Sequence, residues 1–173
     1  MPSGVLLVAE RTVTLAGTTP STPRRILDVG AGYGKHGVLL REYLDPTPVV
    51  DGVEAWEPYV EAHRLRGIYD NLYVRDILTF TAEELAAYDM IVMGDVIEHM
   101  EMADAYALID RAPDAWFVIA TPVVFFNTDP GLPPTERHLS HWTYLDFVAT
   151  GRLEHYEEKY GAVIVRLAPA RVA

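Results

Sequence analysis

One short segment, Asp28-Val29-Gly30-Ala31-Gly32-Tyr33-Gly34-Lys35, constrains the fold of this chain more than any other. It stands between an apolar run, Ile26-Leu27-Asp28-Val29, and residues 36–44 (HGVLLREYL), which read as a helix ended by Asp45-Pro46. A strand that passes through glycines into a helix opens a parallel β-α-β unit. The glycines let the backbone turn tightly and come close to a ligand, with the helix N-terminus beside it. A glycine-rich turn also occurs for purely structural reasons; the strand–glycine–helix context is what favours a ligand here.

The rest of the chain repeats this alternation. Further strands are expected at Val49–Ala55, Leu72–Val74, Met90–Met93 and Trp116–Ala120. Helices are expected at Pro58–Leu65, at 81–87 behind a Thr81/Glu84 capping box, and from Gly94-Asp95 through about Arg111. A long polar loop, 126–141, is followed by a second capping box, Thr143 with Asp146, and a helix to about Ala149. Residues 153–159 and 162–168 flank Tyr160-Gly161 and predict an antiparallel hairpin. The expected fold is α/β, a doubly wound, Rossmann-like sheet of about seven strands that closes with this hairpin. Residues 5–15 show no clear period and 16–23 are turn-rich. A single domain over 1–173 is therefore expected, with 1–23 as N-terminal extension and linker and 24–168 as core.

Composition narrows the function classes. With no cysteine, the chain has no disulfide framework, cysteine nucleophile or cysteine-bound metal. Fourteen basic against 25 acidic residues give a net charge of −11, which disfavours non-specific nucleic-acid binding. No apolar run approaches the roughly 20 residues of a membrane span. The first residues lack the basic region and long apolar stretch of a secretory signal, so a cytoplasmic location is expected.

Two frames fit the glycine segment. Gly32-Tyr33-Gly34-Lys35-His36-Gly37 matches G-x-G-x-x-G, the dinucleotide fingerprint, but begins two residues late relative to the strand. The other frame is acidic-x-Gly-x-Gly-x-Gly: Asp28, Gly30, Gly32, Gly34. This frame resembles the first motif of class I S-adenosylmethionine-dependent methyltransferases, whose loop wraps the methionine part of the cofactor with the acid near its amino group. A pyrophosphate is repelled by a nearby carboxylate and an ammonium is attracted, so Asp28 favours adenosylmethionine. Glu54, 24 residues after Gly30, either accepts hydrogen bonds from both ribose hydroxyls, as is also usual in NAD-binding proteins, or is a solvated acid at a strand end. The resemblance implies that Asp76 receives the adenine amino group and that the backbone N–H of Ile77 serves the ring; the residue alone also reads as a turn aspartate. Asp95, beyond the fourth strand, joins this cofactor-binding set. Trp56 either flanks the adenine or packs in the core. Tyr33, Lys35 and His36 face either the cofactor or solvent. His63, Arg64 and Arg66 read as an exposed helix face.

Beyond the fourth strand stands Gly94-Asp95-Val96-Ile97-Glu98-His99, and far downstream Glu136-Arg137-His138 and His141-Trp142-Thr143. On one helix, 95, 98 and 99 share a face at i, i+3 and i+4. The pattern resembles a subset of the family that includes small-RNA 2′-O-methyltransferases and ubiquinone-pathway O-methyltransferases. That resemblance implies a divalent ion (Mg²⁺, Mn²⁺, Fe²⁺ or Zn²⁺) held by Asp95, Glu98, His99 and His138. Residue chemistry alone leaves two other readings: a metal-free acceptor site with His138 or Glu98 as general base, and a capping role for Asp95 and Glu98. His141 is expected to support the start of the following helix. Phe125, Phe126 and Trp142 are expected either to line an apolar acceptor pocket or to pack in the core. The Asn/Asp-Pro-Pro-aromatic tetrad of amino-group nucleic-acid methyltransferases is replaced by Gly94-Asp95-Val96-Ile97, which favours oxygen or carbon as the methylated atom. The expected activity is methyl transfer from adenosylmethionine to an unidentified small-molecule or polymer acceptor. The rivals are a nicotinamide-dependent oxidoreductase and a non-catalytic binding module on the same fold.

Overall fold

The computed structural model describes residues 4–124 and 137–170. A seven-stranded sheet runs in the order β3-β2-β1-β4-β5-β7-β6. Its strands are β1 Arg25–Val29, β2 Val49–Val53, β3 Leu72–Tyr73, β4 Met90–Gly94, β5 Trp116–Pro122, β6 Leu153–Lys159 and β7 Ala162–Leu167. The pairs β1–β2, β2–β3, β1–β4 and β4–β5 are parallel, while β5–β7 and β6–β7 are antiparallel. The architecture is thus the Rossmann-like sheet with a closing hairpin that the sequence predicts.

The central strands read as unbroken apolar runs because both faces are covered. On one face Leu27, Ile91, Met93, Phe117 and Ile119 pack with Leu108 and Ile109 of α5 (Met102–Arg111) and Phe147 of α6 (Tyr144–Ala149). On the other, Ile26, Val50, Val92, Val118 and Ala120 pack with Leu40 of α2 (Lys35–Tyr43) and with α1 (Gly4–Ala16). Helices α3 (Glu57–Ala62) and α4 (Ala82–Leu85) are short. Both expected capping boxes form, Thr81 with Glu84 and Thr143 with Asp146.

Helix α1 was hidden in the sequence because its valines and threonines have low helix propensity. Packing overrides propensity: Val8, Val13, Leu15 and Ala16 are buried in the second core cluster. Two threonine hydroxyls turn back on the helix, Thr12 donating to the Val8 carbonyl and Thr14 to that of Glu10. Among the described residues, no helix is long and apolar enough to cross a membrane.

The expected helix from Gly94-Asp95 to Arg111 is not continuous. Asp95 adopts a left-handed conformation (φ 56°), a single 3-10 turn covers Ile97–His99, and α5 starts only at Met102. The Asp95 amide still donates to the Ala120 carbonyl (2.9 Å), so the chain follows β5 one residue past β4 before it turns away.

Tyr69 fixes the ground beneath the glycine segment. Its ring lies against Gly37 and Gly52, where an added Cβ would stand 2.5 Å and 2.8 Å from ring carbons, and its hydroxyl donates to Asp28 (2.6 Å). Since the ring is buried, it has no room to retreat. Gly52→Ala should therefore cost about 1–3 kcal/mol by overpacking. Urea denaturation monitored by circular dichroism checks this; an unchanged midpoint would show that Tyr69 is not wedged.

Candidate active site

β1 and β4 are neighbours at the middle of the sheet, and the chain leaves them in opposite directions. A crevice forms outside the carboxyl ends of the strands at such a switch point. Here it is a cavity of about 750 Å³, walled by Gly30, Gly32, Tyr33, Glu54, Trp56, Asp76, Ile77, Asp95, Glu98, His99 and His138, among others.

The end of β2 shapes the glycine segment. The Val53 carbonyl accepts from both Gly30 N and Ala31 N (2.9 Å each), and the buried Glu54 carboxylate accepts from Gly32 N and Trp56 N (2.8 Å each). Gly30, Gly32 and Gly34 all have positive φ (71°, 50° and 73°). At Gly30 a Cβ would also strike Val96 at 2.4 Å, so this glycine is needed for close packing against the turn after β4. A Cβ on Gly32 would meet only the Gly30 carbonyl, at 3.7 Å, and otherwise open space. Three successive amides, 30 to 32, thus donate to β2 and its following residue. A pyrophosphate cradle would need such amides for its own oxygens.

Asp28 is fully buried beneath the loop and does not wall the cavity. Burial pushes its carboxyl up to about 7, against the opposing hydrogen bond from Tyr69. His36 lies 3.8 Å from it and packs on Gly94; burial lowers its imidazole to about 4. Between about pH 4 and 7 the two therefore coexist as a neutral pair. Gly34 also lies behind the wall, where a Cβ would strike Ile68 at 2.3 Å.

Beyond β3, Asp76 caps the 3-10 turn Ile77–Thr79 by accepting from Leu78 N (2.9 Å), while Asp76 and Ile77 both face the cavity. Trp56 is 41% exposed and lines the cavity rather than the core. Tyr33 stacks on His63 at the rim, with ring centroids 4.1 Å apart.

Elsewhere in the lining, one carboxylate oxygen of Glu98 and one ring nitrogen each of His99 and His138 lie within 4.8 Å of one another. Glu98 is 2% exposed; its Oε2 accepts from Thr121 (3.0 Å), and its Oε1 has no hydrogen-bond partner among the described residues. Burial, with the Asp95 charge adding to it, pushes this carboxyl up to about 8. The His99 Nδ1 bonds the Arg137 carbonyl (2.9 Å). Val8, Met100, Pro122, Tyr160 and Ala162 give the cavity an apolar wall.

A family model described as a methyltransferase domain matches residues 6–164. The chain belongs to this methyltransferase family. Solved structures agree in fold. The N-terminal domain of EvdMO1 with SAH bound is 18% identical, with a TM-score of 0.65 over 94% of this chain and 81% of that one. The mitomycin 7-O-methyltransferase MmcR is 16% identical, TM-score 0.67, over 95% of this chain and 54% of that one. Magnesium protoporphyrin IX methyltransferase from Synechocystis PCC 6803 with bound SAM is 16% identical, TM-score 0.64, over 94% and 78%. No curated protein sequence matches.

Of the cofactor-binding residues expected in this methyltransferase, Gly30, Gly32, Glu54, Asp76, Ile77 and Asp95 converge on the cavity. Asp28 and Gly34 do not; they support the loop from behind. Of the four expected metal ligands, Asp95 stands outside the close set, because the left-handed turn at 95 breaks the helical face that would have aligned it with 98 and 99. The same break removes Asp95 as a helix cap: the 3-10 turn has Val96 at its N-cap position and no side-chain cap. His141 bonds the Val123 carbonyl (3.0 Å), and Trp142 is 1% exposed within the core, so it lines no acceptor pocket. Phe125, Phe126 and Glu136 lie outside the described residues. Tyr69, Val96, Thr121 and Ser140 shape the site without any local motif that would have revealed them.

The buried acids have a consequence for stability. A carboxyl whose pKa is raised by folding stabilises the fold below its unfolded pKa and loses that contribution as pH rises through the folded value. Between about pH 4 and 6.5, depressed His36 works in the opposite direction and offsets part of the loss. From 6.5 to about 8, Glu98 dominates. In chelator, the ligand-free protein should lose on the order of 2 kcal/mol across that window, and Glu98→Gln should remove most of the loss. Urea titrations at pH 6.5 and 8.5 measure this; equal slopes for the two proteins would contradict it.

Proposed function

We propose that this methyltransferase uses adenosylmethionine to methylate a hydroxyl oxygen on an acceptor with an apolar body. The observation that carries the cofactor choice is the use of the 30–32 amides by Val53 and Glu54, which leaves the loop poorly suited to a pyrophosphate. When bound, adenosylmethionine supplies a sulfonium methyl carbon open to in-line attack. In this reading Gly30 and Gly32 admit the cofactor by close backbone approach, and Glu54 accepts from the ribose hydroxyls. Asp76 and the Ile77 amide select the adenine edge, with Trp56 alongside. Asp95 faces the cationic methionine end. Asp28 acts from beneath, holding the loop through Tyr69. Rate acceleration then comes mostly from holding donor and nucleophile close and collinear.

The acceptor end combines the apolar wall with Glu98, His99 and His138. These three suit a divalent ion: Glu98 has a buried oxygen with no partner among the described residues, and His99 is oriented by a carbonyl on its other nitrogen, as metal-bound histidines usually are. One carboxylate and two imidazoles favour Mn²⁺, Fe²⁺ or Zn²⁺ over Mg²⁺. Such an ion acts as a Lewis acid that lowers the pKa of an acceptor hydroxyl. Without it, His138 is the better general base, since burial keeps Glu98 protonated at neutral pH. The net charge of −11 disfavours a nucleic-acid acceptor.

Calorimetry tests the cofactor. Adenosylhomocysteine should bind, NAD should not, and Glu54→Ala should weaken the former by about 1.5–3 kcal/mol through loss of charged hydrogen bonds. NAD binding without adenosylhomocysteine binding would overturn the reading. For the metal, elemental analysis after chelation and reloading with Mn²⁺ or Zn²⁺ should give one ion per chain, lost in His138→Ala. Equal metal content in the wild type and His138→Ala would rule these ligands out.

A further inference from the structure

His138 reaches Glu98 from a segment 40 residues further along the chain. Hydrogen bonds to the backbone of the 97–99 turn explain how. The Glu98 carbonyl accepts from both Leu139 N (2.7 Å) and Ser140 N (3.1 Å), so the residue whose carboxylate faces the site also holds the histidine's neighbours by its backbone. The Ser140 hydroxyl donates to the Ile97 carbonyl (3.2 Å) and accepts from the Trp142 indole N–H (2.8 Å). Because the indole supplies that hydrogen, the serine's own proton is directed at Ile97. The indole is itself fixed, with ring contacts to Tyr106 and Phe147 at 5.3 and 5.1 Å. On the opposite side Thr121 holds the Glu98 carboxylate from β5.

We propose that Ser140, oriented by Trp142, is a positioning residue: it clasps the His138 segment to the 97–99 turn and thereby sets the spacing of Glu98, His99 and His138. The inference rests on the reading of these three as the acceptor-end cluster. It assigns Trp142 a task at the site although its ring is in the core. Neither Ser140 nor Trp142 walls the cavity, so neither touches cofactor or acceptor. Removing the hydroxyl leaves the indole N–H and the Ile97 carbonyl without each other's bridge, and the clasp is left with the two amides on the Glu98 carbonyl and the His99 ring on the Arg137 carbonyl.

The test uses the full chain with Ser140→Ala, Ser140→Thr and Trp142→Phe, the last keeping an aromatic ring in the core but no N–H. Three quantities are read: adenosylhomocysteine affinity by calorimetry, Co²⁺ affinity by optical titration, and amide hydrogen exchange over 137–140. Ser140→Ala and Trp142→Phe should speed exchange of the Leu139 and Ser140 amides about tenfold. They should weaken Co²⁺ binding by about tenfold or more, with adenosylhomocysteine affinity unchanged. Ser140→Thr should restore both. Unchanged exchange and Co²⁺ affinity in the two former variants would overturn the proposal, as would a parallel loss of adenosylhomocysteine affinity, which marks general unfolding. Should the wild type take up no Co²⁺ while the exchange effect is present, the metal reading falls and the clasp stands.

Discussion

The site depends on how β2 ends. Val53 and Glu54 together accept the amides of Gly30, Ala31 and Gly32, so the loop after β1 is folded by its neighbouring strand before any ligand arrives. Positive φ angles at Gly30 and Gly32 accompany that arrangement, and Gly34, also at positive φ, closes the turn by donating to the Ala31 carbonyl. Tyr69 completes it from below, wedged between Gly37 and Gly52 and bonded to Asp28. The opening of the cavity, the burial of Asp28 and the placement of Glu54 all follow from this junction of β1 and β2.

The second half of the site hangs from β4 and β5. Left-handed Asp95 turns the chain along the cavity wall, and Val96 packs on Gly30, so the two halves touch. Glu98 is then held by Thr121 from β5, and its backbone carries the segment bearing His138. Glu98 and Asp28 are both buried carboxyls raised toward neutrality, one beside the cavity and one behind its wall. A protein interior tolerates them as neutral acids. Their proximity to the cavity couples the site's protonation to stability.

The sequence made the sheet legible because buried parallel strands leave continuous apolar runs, and glycines at 30, 32 and 34 mark where the chain must turn. Glu54, Asp76, Glu98, His99 and His138 were legible as candidates through the family resemblance, together with their places just beyond strands or in a loop returning to the carboxyl end of the sheet. What stayed hidden depends on packing between distant segments. Helix α1 is held by core contacts that outweigh its composition. The break at 95–101 arises from the continued pairing of Asp95 with β5, which local periodicity cannot register. Asp28 fits the glycine motif by spacing, yet its side chain points beneath the loop to a tyrosine 41 residues away. For Trp142 the sequence leaves pocket and core both open; burial decides for the core, and its indole bond to Ser140 is visible only in the fold.

A crystal structure of the protein soaked with adenosylhomocysteine tests the central claim most directly. The account predicts density for the nucleoside between Trp56 and Ile77, its ribose on the Glu54 carboxylate, and the sulfur directed toward Glu98, His99 and His138. A nucleoside bound elsewhere, or seated with its sulfur turned away from that cluster, would contradict it.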